Sequence, residues 1–542
     1  MNRYVLILAA LALLPACGQS TDPDSTAERG PASTTVLHRG NASEPQSLDV
    51  HKGDGVPSSN IQRDLYEGLI AHAADGSLEP GAAGSWEISA DGLHYVFHLR
   101  EDGRWSNGDP VTAADFVFAL RRGVDPATLS NYSGILIPIA NASAITAGRL
   151  SPERLGVEAL DERTLHITLE NPAAYFLELL THPMTFPLHR PSAQQWPGAF
   201  ARPGRLISNG PYMLDEWAVQ SHVKLVRNPH YRDADRLHIE TVFYYAIENP
   251  ASELKRYRAG DLDWTDAVPH NQIRWIRENL ADDFKVAPYL GIYYFGFNLE
   301  RPPFKGQPAL RRALAMAVDR LILTEYVTGG GEQPAYSFTP PMASYPAAAP
   351  EWGSWSREQQ LAEARRLYAE SGYGPERPLE VELRYNTSDN HRQMALAIAA
   401  MWKQNLGVKA NIVNQEFKVF LDARTRKADT EAFRGGWIGD FQDPVNFLDI
   451  LQSANGQNDT GYADPDYDAL LERAAAQTDP RRRMDLLREA EALMLEQQPV
   501  MPIYFYVSRR LVKPWVKGWQ NNLLDVHATR HFYIVDTDDH ID

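Results

Sequence analysis

The chain lacks the sequence features on which many enzymes and metalloproteins depend. It contains one cysteine in 542 residues, which excludes intrachain disulfides, cysteine-based zinc sites and iron–sulfur clusters. No apolar run approaches the roughly 20 residues that span a bilayer. The motifs of phosphate-binding loops, dinucleotide folds, zinc peptidases and serine hydrolases are also missing. We therefore expect no cofactor and no metal, and we favour a binding role over catalysis.

Basic residues are scarce relative to acidic ones. There are 53 Lys and Arg against 70 Asp and Glu, a formal net charge of −17. This charge repels phosphate backbones and argues against a nucleic-acid partner, while it tolerates cationic or zwitterionic small ligands. Hydrophobic residues make up 44% of the chain, which excludes wholesale disorder, and the length predicts two to four domains.

The amino-terminal segment predicts export. Arg3 precedes the uncharged apolar run Val5–Leu14, which is too short to span a bilayer and is typical of a signal peptide. The following Leu14-Pro15-Ala16-Cys17 resembles a bacterial lipobox, in which Cys17 becomes the lipidated first residue; the alternative is a plain secretory signal ending near Ala16. We predict a signal peptide over residues 1–16 and a flexible tether over 17–35, so that only a lipid anchor meets the membrane.

Strand and helix patterns alternate along the rest of the chain without a strict βαβ rhythm, which predicts an α/β fold. Helices are expected at 308–321, with Leu321 on the apolar stripe, and from Pro480, capped by Asp479, to before Pro499. The β-rich runs that predict strands are Val36–Arg39, Tyr95–Arg100, Leu165–Leu169, Val223–Arg227, Thr241–Ile247, Tyr293–Asn298, Leu379–Tyr385, Ala410–Val413 and Pro502–Val507.

One long segment carries a family resemblance. Residues 82–122 read AAGSWEISADGLHYVFHLREDGRWSNGDPVTAADFVFALRR, which resembles the signature stretch of the family 5 solute-binding proteins of peptide and nickel ABC importers. Further segments, including GGWIGDFQDPVNFL at 435–448 and PIYFYVSRRLVKPW at 502–515, are similar to its oligopeptide-binding members. The likeness extends from about Val36 to Val535.

The resemblance implies a three-lobed periplasmic clamp of type II, cluster C, which closes by hinge rotation around an extended peptide. We predict that the protein captures short oligopeptides in the periplasm as a monomer and delivers them to an inner-membrane ABC permease. The predicted lobes are discontinuous: lobe I comprises 36–66, 192–290 and 508–542, lobe II comprises 67–191, and lobe III comprises 291–507.

Site residues follow from the same resemblance. Asp440 matches the aspartate that holds the peptide's α-ammonium, and Gly436, Trp437 and Ile438 match the strand that the peptide joins. The groups that match receivers of the peptide's carboxylate are Arg424, Arg434 and His391. The remaining expected ligand contacts are Asp54, Val56, Tyr132, Tyr294, Asn386, Phe417 and Tyr506.

Four departures from the family pattern bear on specificity or on covalent structure. Asp54 stands where glutamate is common, Phe417 replaces a pocket tryptophan, and Thr324–Gly331 lacks a lysine that the family uses for some carboxylates. A well-known member carries two cysteines where Gly291 and Ile438 stand, so this chain lacks that cross-link.

Rival functions remain open on the sequence alone. The missing lysine leaves room for a receptor of murein peptides, and a dipeptide, haem or nickel receptor would belong to the same family. A periplasmic peptidase or a chaperone would belong to another class.

Overall fold

The computed structural model describes residues 36–535 except 54, 131 and 428, so Cys17 and Asp54 lie outside the described residues. The strands are β1 Val36–Gly40, β2 Ile70–His72, β3 Leu78–Pro80, β4 Ala83–Ile88, β5 His94–Leu99, β6 Val157–Ala159, β7 Thr164–Thr168, β8 Tyr212–Ala218, β9 His222–Arg227, β10 Thr241–Tyr245, β11 Phe284–Phe297, β12 Gln333–Pro334, β13 Glu380–Asn386, β14 Lys409–Gln415, β15 Ala432–Ile438, β16 Val500–Leu511, β17 Val516–Lys517 and β18 Tyr533–Ile534.

Helices of very different lengths separate the strands. They are α1 Gly55–Leu65, α2 Ala113–Val124, α3 Ala142–Thr146, α4 Phe176–Leu179, α5 Arg190–Gln195, α6 Pro250–Arg258, α7 Ile273–Asn279, α8 Pro308–Met316, α9 Arg320–Ile322, α10 Arg357–Glu370, α11 Asp389–Leu406, α12 Phe417–Arg426, α13 Val445–Leu448, α14 Pro465–Ala475 and α15 Pro480–Gln497. None of these described helices is both long and apolar enough to cross a membrane.

Three larger sheets organise the molecule. One four-stranded sheet has the order β1-β10-β9-β8, and a second has the order β4-β5-β7-β6. A six-stranded mixed sheet has the order β12-β16-β11-β15-β13-β14. The α/β class predicted from the sequence is confirmed. The two four-stranded sheets lie within the residues predicted for lobes I and II, and the six-stranded sheet lies mostly within those predicted for lobe III.

The hydrophobic cores couple the lobes unequally. One buried cluster joins residues of the predicted lobes I and II, including Leu37, Leu120 and Tyr212. The residues predicted for lobe III form buried clusters of their own, built around Tyr293 and Trp402 on one side and Ile292 and Phe447 on the other. The predicted lobes I and II therefore share one buried core, and the lobe boundaries stay a prediction.

Two long strands cross from lobe I into lobe III. β11 and β16 pair antiparallel from Phe284 with Leu511 to Gly296 with Val500, and the register shifts between Pro288 and Ile292. A β-bulge bends a strand pair and increases its twist. The sequence predicted only the lobe III halves of both strands, because Pro288 and the polar residues of the lobe I halves interrupt the apolar pattern.

Helix predictions were right where capping is local. Asp479 accepts hydrogen bonds from the N–H groups of Arg481 and Arg482, and α15 begins and ends as expected. The helix predicted over 308–321 is wrong at its end, because α8 stops at Met316 and Asp319 caps a separate helix. Leu321 is consequently 53% exposed and does not lie on the apolar stripe.

Candidate functional site

The half of β15 nearest its carboxyl end has an open edge. β15 pairs with β11 along its full length, from Ala432 to Ile438, whereas its pairing with β13 ends at Phe433. The N–H of Gly439 donates to the carbonyl of Leu290 at 2.7 Å, and backbone direction in a strand alternates with period two. The N–H and C=O groups of Gly436 and Ile438 therefore point away from β11 towards the open edge.

The predicted strand residues divide into two kinds along this edge. Gly436 and Ile438 offer main-chain donors and acceptors to an added strand, which is how a sheet edge binds an extended peptide. The main-chain N–H and C=O groups of Trp437 point towards β11. Its indole Nε1 donates to Asn446 Oδ1 at 2.7 Å. We infer that Trp437 forms a wall of the site and that Gly436 and Ile438 provide the pairing surface.

Ile438 also fills the space left by the absent cross-link. Gly291 and Ile438 are direct cross-strand partners, and a Cβ built on Gly291 would lie 2.5 Å from Ile438 Cδ1. The Ile438 side chain therefore packs over a glycine that has room for nothing larger. The two side-chain positions of this pair are thus closely packed.

Asp440 ends the open edge with an unpartnered carboxylate. No hydrogen bond or ion pair to its side chain occurs within the described residues. The group is accessible to solvent, yet protein surrounds the cleft in which it lies, and desolvation raises the pKa of Asp440 to about 6. Ionisation of such a carboxyl group is costly when it has no partner, and it becomes favourable when a cation binds beside it.

A cleft of about 520 Å³ adjoins this carboxylate, between loops of lobe II and helices of lobe III. Its walls include Tyr175, Trp437, Asp440, Phe441 and Asp449. The Tyr175 and Phe441 rings stack across the lobe boundary with centroids 4.8 Å apart. Neither ring is among the residues predicted from the sequence; Phe441 lies inside the matching segment at 435–448, whereas nothing local marks Tyr175.

A buried ion pair supports this wall. Arg483 binds both carboxylate oxygens of Asp443, at 2.6 and 2.8 Å, and its guanidinium lies 5.9 Å from the Tyr175 ring centroid. Such a bidentate pair fixes orientation as well as charge. Because Asp443 already neutralises it, Arg483 leaves Asp440 without a counter-ion.

Arg434 lies on β15 and is held by aromatic rings. Its Nη2 donates to the Tyr506 hydroxyl at 3.0 Å, and its guanidinium lies 4.9 Å from the Tyr293 ring centroid. Burial disfavours the charge, but the neighbouring tyrosines raise the pKa of Arg434 above its usual value. Within the described residues no carboxylate lies at ion-pair distance from Arg434, so its charge is available to an incoming anion.

The other predicted receivers of a carboxylate are more constrained. Arg424 Nε lies 2.5 Å from Asp459 Oδ2, so an anion would have to share this arginine. Burial and the charge of Arg434 lower the pKa of His391 to about 4. The His391 Nδ1 lies 3.3 Å from the carbonyl of Asn386, so the neutral ring donates there and keeps Nε2 as an acceptor. His391 can therefore receive a carboxylate at Nε2 only by taking up a proton.

The remaining predicted contacts are placed unevenly. Tyr294 is 6% exposed and packs edge-on against Phe338, which makes it a core residue behind the strand. The Tyr132 ring stacks on His182 with centroids 5.4 Å apart. Phe417 begins α12 and Val56 lies in the first turn of α1, 51% and 53% exposed respectively. The ligand roles of these four residues stay predictions.

Comparison with known proteins identifies the family. The model of the bacterial extracellular solute-binding proteins, family 5 middle region, matches residues 77–459. The chain belongs to the family 5 solute-binding proteins. The periplasmic oligopeptide-binding protein OppA of Escherichia coli is 38% identical over 539 residues, which covers 98% of this chain and 99% of the relative.

Solved structures of family 5 members share the fold. MppA, a periplasmic murein tripeptide-binding protein, in its unliganded open form superposes with a TM-score of 0.85 at 38% identity, over 94% of this chain and 99% of that one. OppA of Haemophilus influenzae in complex with the peptide RPPGFSPFR superposes with a TM-score of 0.76 at 36% identity, over 93% and 99%. The three-lobed clamp expected from the sequence is confirmed.

Proposed function

We propose that this family 5 protein is the peptide receptor of an ABC importer, which captures short oligopeptides in the periplasm and delivers them to an inner-membrane permease. One observation carries the proposal: an open strand edge, presented by Gly436 and Ile438, ends at the unpartnered carboxylate of Asp440. An edge of this kind recognises a peptide's main chain, and the carboxylate recognises its free α-ammonium.

Recognition of the main chain would allow the site to bind peptides of many different sequences. Hydrogen bonds to Gly436 and Ile438 involve groups that every peptide carries. The side chains of the guest would project into the cleft, where water bridges polar groups at small cost. Weak side-chain preference and a strict need for a free amino terminus follow from this arrangement.

Closure would couple binding to delivery. Lobes I and II share one core and lobe III has its own, so a rotation about the β11–β16 crossing encloses the ligand without disturbing either body. A peptide that touches both bodies stabilises the closed state by its differential affinity for that state. The permease would then recognise the closed clamp.

Calorimetry with a defined tetrapeptide and its N-acetylated form tests the proposal. We expect saturable binding of the free tetrapeptide, and strong weakening both by acetylation and by Asp440→Ala. Asp235→Ala is the matched control, since Asp235 is exposed and does not line the cleft. Equal affinity for both ligands, or for Asp440→Ala and the wild type, would overturn the assignment.

Two further arms separate the rival functions. Incubation with the tetrapeptide followed by mass spectrometry should return intact peptide, whereas fragments would indicate a peptidase. A murein tripeptide titrated in parallel should bind more weakly than the tetrapeptide. A reversed order would make the protein a murein-peptide receptor, and suppression of aggregation without saturable binding would favour a chaperone.

We further propose that Cys17 is lipidated after cleavage and that the receptor works as a monomer tethered above the membrane. Radiolabelled palmitate should be incorporated into the wild type and not into Cys17→Ser. Incorporation into both would contradict the anchor, and a dimer mass in light scattering would contradict the monomer.

A further inference from the structure

Asp449 presents a second carboxylate to the cleft that Asp440 adjoins. It directly follows α13, and both aspartates line the same cleft of about 520 Å³. Asp449 is exposed, so a ligand that enters the cleft can reach its side chain. Within the described residues one side chain donates to this carboxylate, that of Asn455, whose Nδ2 lies 3.2 Å from Asp449 Oδ2. Asn455 is neutral, so the charge of Asp449 stays uncompensated.

The wall of the cleft offers no cation to balance its carboxylates. Among the described residues that line it, the one basic residue is Arg483. Arg483 already binds both carboxylate oxygens of Asp443, at 2.6 and 2.8 Å. Surrounding protein desolvates Asp449 and raises its pKa above the usual value. A cation brought by the ligand would therefore stabilise the ionised form of Asp449. The α-ammonium of a peptide would neutralise Asp440 and leave Asp449 for a second cation.

Aromatic rings stand beside these carboxylates. Tyr175 and Phe441 line the same cleft and stack with their centroids 4.8 Å apart. Burial, together with the charges of Asp449 and Asp443, raises the pKa of Tyr175 to about 12, which agrees with an Asp449 carboxylate that faces this ring. Lysine and arginine pack their aliphatic stems on apolar surfaces and keep their charged ends in polar surroundings. Apolar walls beside an unpaired carboxylate therefore suit a long basic side chain.

The place of Asp440 relates the cleft to the first residue of the peptide. The α-ammonium and the side chain of that residue are attached to the same carbon atom. Because Asp440 lines the cleft, this side chain begins at the edge of the cleft. In an extended peptide successive side chains point to opposite faces, and the third residue begins about 7 Å farther along. The side chain that reaches Asp449 is thus that of the first residue.

We propose that Asp449 is a specificity-determining residue that binds a cationic side chain on the first residue of the peptide. The proposal rests on the function proposed above and adds a substrate class to it: peptides that begin with lysine or arginine. Asp440 takes the α-ammonium and Asp449 takes the side-chain cation, while Tyr175 and Phe441 pack against the stem of that side chain.

Paired ligands isolate this contact. Calorimetry would compare Lys-Ala-Ala-Ala with norleucine-Ala-Ala-Ala, since norleucine keeps the aliphatic stem of lysine and lacks its ammonium. We expect the lysine peptide to bind the wild type about tenfold more tightly, as a charge-assisted hydrogen bond implies. In Asp449→Asn this preference should disappear. Asp466→Asn is the matched control and should keep it, because Asp466 is an exposed aspartate of α14 that does not line the cleft.

The same replacement at the third residue tests the assigned position. The affinity ratio of Ala-Ala-Lys-Ala to Ala-Ala-norleucine-Ala should be the same in the wild type and in Asp449→Asn. A ratio that falls equally at the first and the third residue would show that Asp449 attracts cations only through its general charge. That result would overturn the contact.

A variant that restores the charge separates a role in binding from a role in the fold. Asp449→Glu carries a carboxylate on a longer side chain, so it should recover most of the preference for Lys-Ala-Ala-Ala that Asp449→Asn loses. A preference that is absent from both variants would show that the charge of residue 449 does not bind the lysine, and would overturn the proposal.

Two outcomes separate the failure of this inference from the failure of the proposed function. If tetra-alanine binds the wild type, and the preference for a first lysine is the same with and without the Asp449 charge, Asp449 has no such role but the peptide receptor stands. If tetra-alanine and all four test peptides fail to bind, the function itself is wrong.

Discussion

The two charged ends of the proposed binding strand are built differently. At one end, the Asp440 carboxylate has no partner within the described residues, and desolvation alone raises its pKa. At the other, Arg434 is held by Tyr506 and Tyr293, and Arg424 is paired with Asp459. One end therefore offers a single unpaired carboxylate, and the other offers two arginines that neighbouring side chains hold in place.

This difference teaches how one cleft can accept peptides of several lengths. A free amino terminus occupies the same place in every peptide that binds in one register, so a single carboxylate suffices for it. The carboxylate of the peptide moves by about 3.3 Å with each added residue. Several weaker receivers, Arg434, Arg424 and His391, can share that task.

The largest effect is expected at the end of the site that would bind the amino terminus of the peptide. Asp440→Asn keeps the shape of the side chain and removes its charge, so the ammonium of any bound peptide is left unpaired. We expect affinity to fall by about a hundredfold or more for tripeptides and tetrapeptides alike. Calorimetry at neutral pH measures the loss, and a loss confined to one length would contradict the single-receptor view.

The second expected effect is a dependence of the binding affinity on pH, which arises from the same carboxylate. Binding requires the ionised carboxylate, and the pKa of Asp440 without ligand is about 6. Affinity should be constant above this value and fall by up to about tenfold for each pH unit below it. Titration calorimetry between about pH 4.5 and about pH 7.5 should show that the affinity of Asp440→Asn depends much less on pH than that of the wild type. An equal slope in the variant would place the titrating group elsewhere.

The third effect concerns the opposite end and should depend on ligand length. Arg434→Gln removes one receiver of the carboxylate and leaves Arg424 and His391 in place. We expect about a tenfold loss for the one length whose carboxylate meets Arg434, and a smaller loss for peptides one residue longer or shorter. A uniform loss over tripeptides, tetrapeptides and pentapeptides would show that both ends work in the same way.

The smallest effect tests the aromatic support of Arg434. Tyr506→Phe removes the hydroxyl that accepts from Arg434 but keeps the ring, so the guanidinium loses orientation and not charge. Affinity should fall about threefold or less. Tyr326→Phe, at a side chain that is 80% exposed, is the control, and a loss as large as that of Arg434→Gln would show that the hydroxyl itself contacts the ligand.

Local sequence chemistry predicted much of the fold. The alternation of Tyr95, Phe97 and Leu99 predicts a half-buried strand, and these residues are 4%, 0% and 6% exposed. The capping pattern at Asp479 likewise predicted α15. Where a competing local signal was overlooked the prediction failed, as at Asp319, which caps a new helix and ends the one expected to reach Leu321.

The site was less accessible to the sequence. Motif resemblance nominated Asp440 and Arg434, because matching segments carry matching residues. It also nominated Tyr294, which is 6% exposed and whose ligand role stays a prediction, and it gave no reason to consider Tyr175. Tyr175 joins the cleft through Phe441, a neighbour more than a hundred positions away in the chain.

The sequence by itself determined the α/β class, the family and the chemical type of each candidate group, because these depend on local periodicity and on ordered motifs. The tertiary structure decided which edge of β15 stays open and which charges lack partners. Pairing and desolvation depend on chain segments that meet only after folding, and no local pattern records whether a carboxylate or a guanidinium will find a counter-ion there.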